Sequence, residues 1–271
     1  MTADRKPPSR LSRARASYAR GDVKAAAAAH SARAVAAAAE EHGGSGSQYV
    51  GDMVLGGLDG IVTTFAVVSG VAGADLGSGV LLILGLANLL ADGFSMATGS
   101  FLSLKSEREY YAKERAREEW EVDHFPAGEK EELQIVYRRQ GYSAADARKL
   151  VEIKSRDPER WVDAMMVEEL GMLPGERTPL RAALATFSAF VLAGSIPLLV
   201  YLLGIVTPIP AQPAFFVSLG MSGVALFILG AAKVVVTHRN PLRSGLEMLV
   251  VGGLAAGVAY LVGIVLKGIG G

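Results

Sequence analysis

The chain has 271 residues, is 51% hydrophobic and 20% charged, and balances 27 Lys and Arg against 27 Asp and Glu. Soluble domains carry about 25% charge, and here the shortfall is concentrated: from Ala182 to Ala232 there is no Asp, Glu, Lys or Arg at all. This excludes a plain soluble enzyme and a disordered chain, zero net charge gives no support to nucleic-acid binding, and the lack of cysteine excludes disulfides, zinc fingers and iron–sulfur clusters.

Residues 1–50 are low in complexity and rich in Ala, Arg, Ser and Gly. They hold eight bases: Arg5, Lys6, Arg10, Arg13, Arg15, Arg20, Lys24 and Arg33. Alanine favours helix over 11–41, but the segment has few large apolar residues to bury, and the Gly/Ser run at 43–47 reads as a linker. The segment is expected to be a mobile basic arm, with lipid headgroups as the sharper alternative. It has no apolar run of the signal-peptide kind.

Five apolar segments follow, at 53–74, 79–104, 180–205, 214–236 and 246–266. Each can cross a hydrocarbon layer about 30 Å thick. Lys105, Arg108, Arg177 and Arg181 flank the polar insert between the second and third; Lys233, Arg239 and Arg243 flank the connection between the fourth and fifth. The connections at 72–78 and 204–213 carry no Lys or Arg. The positive-inside rule therefore puts the N-terminus, the insert and the last loop in the cytoplasm, and the C-terminus on the far side.

The insert, 105–178, reads as a small helical domain. Residues 105–122 lack Gly and Pro and are expected to prolong the second span as one rod. Pro126-Ala127-Gly128 should break it, with a second helix over 129–140. Ser143 with Asp146 three residues on is a capping-box pattern opening a third helix. Asp157-Pro158 places an N-cap and an N1 proline before a fourth, ending at Gly171.

At about 100° per residue, Glu107, Glu114, Glu118 and Glu121 fall within about 60° of one another. Such a stripe repels itself. Lys113, Arg115 and Arg117 lie largely on other faces, so a bound cation is the expected remedy. Met165, Met166 and Glu169 on the fourth helix would add thioether and carboxylate donors, a set suited to a borderline divalent ion such as Fe²⁺. The bland readings are a solvated acidic face and methionines as core filler. Glu121-Val122-Asp123-His124 matches the Glu-x-x-His of di-iron bundles, but those need two copies, and the match is treated as chance.

Within the spans, Asp59 and Asp92 are the acidic residues at mid-depth. Charges there are costly and usually functional. Asn88, Asp92 and Met96, each four apart, share a face and could line a cation path with Asp59; a purely structural polar cluster is the alternative. The small-residue pairs Gly73/Gly77 and Gly253/Gly257 are expected to serve helix packing.

Four motifs in order resemble the vacuolar iron transporter family. Leu58-Asp59-Gly60-Ile61-Val62-Thr63-Thr64-Phe65-Ala66-Val67-Val68-Ser69-Gly70 is similar to its first-helix signature, and Ser95-Met96-Ala97-Thr98-Gly99-Ser100-Phe101-Leu102-Ser103 to its second. Arg117-Glu118-Glu119-Trp120-Glu121 and Met165-Met166-Val167-Glu168-Glu169-Leu170-Gly171 resemble the two arms of its cytoplasmic metal-binding domain. The resemblance runs from about Tyr49 to the C-terminus. It implies an all-α membrane protein: five transmembrane helices, a cytoplasmic helical metal-binding domain between helices 2 and 3, and a homodimer with the ion path at its interface. It implies Asp59 and Met96 on that path, and Glu107, Glu118, Glu121, Met165, Met166 and Glu169 as cytoplasmic ligands. Tyr110 stands where a further Glu is usual, and Glu114 is taken to compensate. Asn88 and Ser100 depart from acidic residues in other members.

The reading is a transporter, not an enzyme, without cofactor. It exports Fe²⁺, with Mn²⁺, Co²⁺ and Zn²⁺ as further candidates, in exchange for protons. Its rivals are a passive channel and a membrane-anchored metal sensor. The alanine- and arginine-rich composition favours a bacterial plasma membrane over a vacuolar one.

Overall fold

The computed structural model describes residues 10–37, 47–232 and 240–267. The bases Arg5, Lys6, Lys233 and Arg239 and the linker residues 43–46 lie outside them. The chain divides into two units, Met1–Val50 and Gly51–Gly271.

In the first unit the helical structure expected over 11–41 is, among the described residues, three short helices, α1 (Arg10–Arg20), α2 (Val23–Ala29) and α3 (Ala32–Ala37), and residues 38–41 of that expectation lie outside them. Gly21, at φ +65°, turns the chain between α1 and α2, and Asp22 caps α2 by accepting from the Ala25 amide at 3.0 Å.

The second unit holds five helices long and apolar enough to span a membrane. The first two are α4 (Val50–Gly73) and α5 (Ser78–His124). The insert follows as α6 (Pro126–Arg139), α7 (Ala144–Lys154) and α8 (Pro158–Ala164). The third span is α9 (Pro179–Gly194) continued by α10 (Leu199–Val206), and the last two are α11 (Ala211–Ala232) and α12 (Pro241–Leu266). Spans and insert thus agree with the expected order, while three boundaries differ for local reasons. Pro197 has no amide to give the Ala193 carbonyl, so the third span passes through a 3₁₀ turn at Ile196–Leu198. The Pro197 carbonyl accepts from Ser218 Oγ on α11 at 2.6 Å. The helix expected from Glu129 starts at Pro126, whose missing amide is no loss at the first helical position. Only Phe125 separates it from α5. The fourth insert helix stops being α at Ala164 and makes one π turn over Met165–Glu169, before Gly171 at φ +66° ends it.

The spans pack through small residues. A Cβ at Gly56 would lie 2.5 Å from the Thr186 carbonyl oxygen, and one at Gly60 would overlap that of Phe190, so α4 lies directly on α9. Farther along, Gly73 and Gly263 bring α4 against α12. The expected pairs are thus only partly used: Gly77, Gly253 and Gly257 have open space within 4 Å, and Gly245, Gly252 and Gly263 do the packing on α12. Beyond the bundle core of Leu81, Leu89, Phe190 and Leu198, large apolar side chains such as Phe94, Leu192 and Leu254 stand two-thirds exposed or more. That pattern suits lipid or another protein rather than water.

Candidate metal site

At about 1.5 Å per residue, α5 is far longer than a bilayer requires. Its last five turns form the base of the insert. α6 folds back on them, and α7 and α8 close a small apolar core that includes Val122, Leu133, Tyr137 and Trp161. The starts of α7 and α8 are as the sequence predicts. Ser143 Oγ accepts from the Asp146 amide at 3.1 Å, and Asp157 accepts from Glu159 and Arg160 at 3.0 and 3.3 Å.

The reversal at Phe125 brings two helices' carboxylates together. Glu118, Glu121 and Glu129 each place an oxygen within 4.8 Å of the other two, and so do Glu129, Glu132 and Glu169. Glu129 belongs to both groups, so the cluster is one run of five carboxylates drawn from α5, α6 and the π turn. Glu118 and Glu129 are 1% and 5% exposed, and each has one buried oxygen without a partner. Burial followed by the neighbouring carboxylates pushes Glu129 up to about 7. Desolvation, with Glu132 next, does the same to Glu169, also to about 7. Glu118 is raised chiefly by burial, against which the Arg117 guanidinium acts. Buried carboxylates with free oxygens need protons or a cation.

The predicted ligands separate on this geometry. Glu118, Glu121 and Glu169 meet in the cluster. Glu107 does not: it lies about 16 Å down the helix from Glu118, accepts from Ser103 at 3.3 Å, and lines a cleft of about 430 Å³ with Tyr111, Met172 and Glu176. Glu114 is held by Arg117 at 3.0 Å. Met165 and Met166 are fully buried in the apolar core. Glu129 and Glu132 were not singled out from sequence. Their signal was an i,i+3 pair of acids in the first turns after a tight reversal, opposite an acidic stripe.

One expectation fails outright. Arg117 is not idle on another face: it bonds Glu114, Glu118 and Glu121 at 3.0, 2.7 and 2.7 Å. A wheel measures Cα direction, whereas a long side chain with a forked end reaches residues at i−3, i+1 and i+4. His124 stacks on Trp120 with centroids 4.4 Å apart, and its Nδ1 lies 2.8 Å from the Trp120 carbonyl oxygen and 3.6 Å from the Asp123 carboxylate.

In the spans, Asp59, Asn88, Asp92 and Met96 are all half-buried. Asp59 lies on α4 and Asp92 on α5, and among the described residues no cation is paired with either. Where α4 begins, Arg177 on the segment leading out of the insert makes an ion pair with both oxygens of Asp52. Lys267 pairs with Asp75 at 2.8 Å at the other end of the bundle.

Comparison with known proteins completes the picture. The model of the VIT family matches residues 50–264. A Toxoplasma gondii protein named vacuolar iron transporter is 40% identical over 268 residues, covering 95% of this chain and 88% of its own. Vacuolar iron transporter 1 of Arabidopsis thaliana is 35% identical over 223 residues, 82% of this chain and 87% of its own. A vacuolar iron transporter of Plasmodium falciparum is 34% identical over 221 residues, 79% and 81% of the two chains.

Proposed function

The chain belongs to the VIT family, and on that premise we propose that it carries Fe²⁺, and Mn²⁺ with it, out of the cytosol in exchange for protons. Its relatives are named as transporters, not enzymes. The observation that carries the proposal is Glu129, a nine-tenths-buried carboxylate shared by two acidic triads and left with an unpartnered oxygen. In this reading the insert faces the cytosol, in keeping with Lys105, Arg108, Arg177 and Arg181 at its base, and collects the ion on Glu118, Glu121, Glu129, Glu132 and Glu169. Carboxylate oxygens alone suit Mn²⁺, and Fe²⁺ is expected to draw on a softer donor as well. The role proposed for Met165 and Met166 is a soft floor under that cluster, reached by a rotamer change. Glu107 and Glu114 then act as outlying attractors.

The ion passes to Asp59, Asp92, Asn88 and Met96 between α4 and α5. Protonation of Asp59 from the far side releases the metal, and the proton leaves on the return. The apolar faces left uncovered are proposed to be shared between lipid and a second copy of the chain. The composition favours a bacterial plasma membrane, though the relatives carry the vacuole in their names.

The test is flux in proteoliposomes. With an inward-acidic lumen, wild type is expected to take up Fe²⁺ and Mn²⁺ and to alkalinise the lumen, while Asp59→Asn does neither. Uptake without proton movement would favour a passive channel. Metal binding without uptake would favour a sensor. Unchanged uptake by Asp59→Asn would overturn the mechanism.

A further inference from the structure

The acidic stripe of α5 is already occupied. Arg117 directs Nε to Glu114, Nη1 to Glu121 and Nη2 to Glu118. Two of those three carboxylates also belong to the triad with Glu129. Each contact is a charge-assisted bond, and one guanidinium uses all three of its nitrogens on them. The compensation is one-sided, because Glu118 Oε2 and Glu129 Oε2 remain buried without a partner. The arginine is also free to leave: its side chain is 45% exposed, whereas that of Glu118 is 2% exposed.

We propose that Arg117 is a tethered competitor for the metal site and sets the metal concentration at which the insert loads. The proposal rests on the metal-collecting role given to the cluster above. Without metal, Arg117 holds Glu118 and Glu121 and relieves their mutual repulsion. A divalent ion bound to the same carboxylates repels the guanidinium, which swings into solvent. At about 6 Å, even with the dielectric of water, a monovalent and a divalent charge repel enough to change affinity about tenfold. Transport is thereby held low until cytosolic metal rises.

A structural strut and a competitor give opposite signs on removal. If Arg117 only props the helix, Arg117→Gln weakens both fold and metal binding. If it competes, Arg117→Gln lowers the melting temperature of the metal-free protein and tightens metal binding. Lysine keeps the charge but cannot fork to three carboxylates, so Arg117→Lys should fall between wild type and Arg117→Gln.

The experiment titrates Mn²⁺, a redox-stable stand-in for Fe²⁺, into the full chain in detergent at about pH 8, with Glu129→Gln as control. The expected result is an apparent Kd about tenfold lower for Arg117→Gln and a smaller decrease for Arg117→Lys. If wild type binds Mn²⁺, Glu129→Gln loses that binding, and Arg117→Gln is unchanged or weaker, the competitor role is overturned and the metal site stands. If wild-type binding is absent or indifferent to Glu129→Gln, the site itself is wrong and the inference falls with it. Should Arg117→Gln not fold, Arg117→Lys decides: a lower Kd than wild type supports competition, an equal or higher one refutes it.

Discussion

Replacing Glu129 by glutamine should make the metal-free insert more stable and its metal binding worse. Glutamine keeps the shape and removes the charge. Glu129 rises from 4.5 to about 7 in the folded protein, by burial first and by Glu118, Glu132 and Glu121 next. Its folded pKa exceeds its unfolded one, so between those values the native state holds the extra proton. Stability is therefore greatest below 4.5 and falls as pH rises to about 7. At about 1.4 kcal/mol per unit, the ionised wild type at pH 8 gives up about 3 kcal/mol relative to a neutral isostere, less whatever Glu169 shares. At about pH 5 the difference shrinks to less than about 1 kcal/mol. For an insert of about 70 residues, about 3 kcal/mol corresponds to a rise of roughly 12–24 °C at pH 8. The two tryptophans, Trp120 and Trp161, both sit in the insert, so tryptophan fluorescence, excited selectively over tyrosine, reports on it during a thermal scan. The same variant should bind Mn²⁺ about 10–100-fold more weakly. A lower metal-free melting temperature at pH 8, or undiminished Mn²⁺ affinity, would refute the reasoning.

Other consequences follow from the same geometry. Because Glu129 and Glu169 are both pushed up to about 7, protons compete with metal as pH falls. Apparent Mn²⁺ affinity should drop by about tenfold per pH unit for each proton displaced, between about pH 7 and 5; a flat profile by calorimetry contradicts this. A Cβ on Gly263 would overlap the Gly70 carbonyl oxygen and come within 2.9 Å of the Ala74 amide, both rigid backbone. Gly263→Ala should cost about 1–3 kcal/mol, seen as a lower melting temperature or loss of a monodisperse peak, and an unchanged profile would mean α4 and α12 are not in this contact. Asp157 caps α8 through two amides, so Asp157→Ala should destabilise the insert by about 1 kcal/mol. Tryptophan fluorescence on denaturant titration would reveal it, and no change would mean that water replaces the cap.

Hydrophobic placement alone located the five spans, because lipid tolerates only long apolar helices, and their termini moved by a few residues on folding. Local chemistry also located the caps at Ser143 and Asp157 and the continuity of α5 through residue 105, since these depend on neighbours within one turn. The charge excess in the insert, 18 acids against 13 bases over 105–176, pointed to the sign of the ion. Which acids meet was not legible. It depends on the direction α6 takes after Phe125, a tertiary matter, and that turn selects Glu129 and Glu132 and leaves Glu107 about 16 Å away. The role of Arg117 was likewise hidden, because a helical wheel assigns side chains to faces and takes no account of reach. So did the packing glycines elude pattern: GxxxG spacing names candidates, but only the approach of a neighbouring backbone decides that Gly60 and Gly263 are needed and Gly253 is not. Sequence by itself thus determined which segments are long and apolar enough to span a bilayer and that the insert is acidic, both being sums over local composition. The fold alone decided which carboxylates meet and that the Arg117 guanidinium pairs with two of them, because those depend on distances that composition and spacing do not fix.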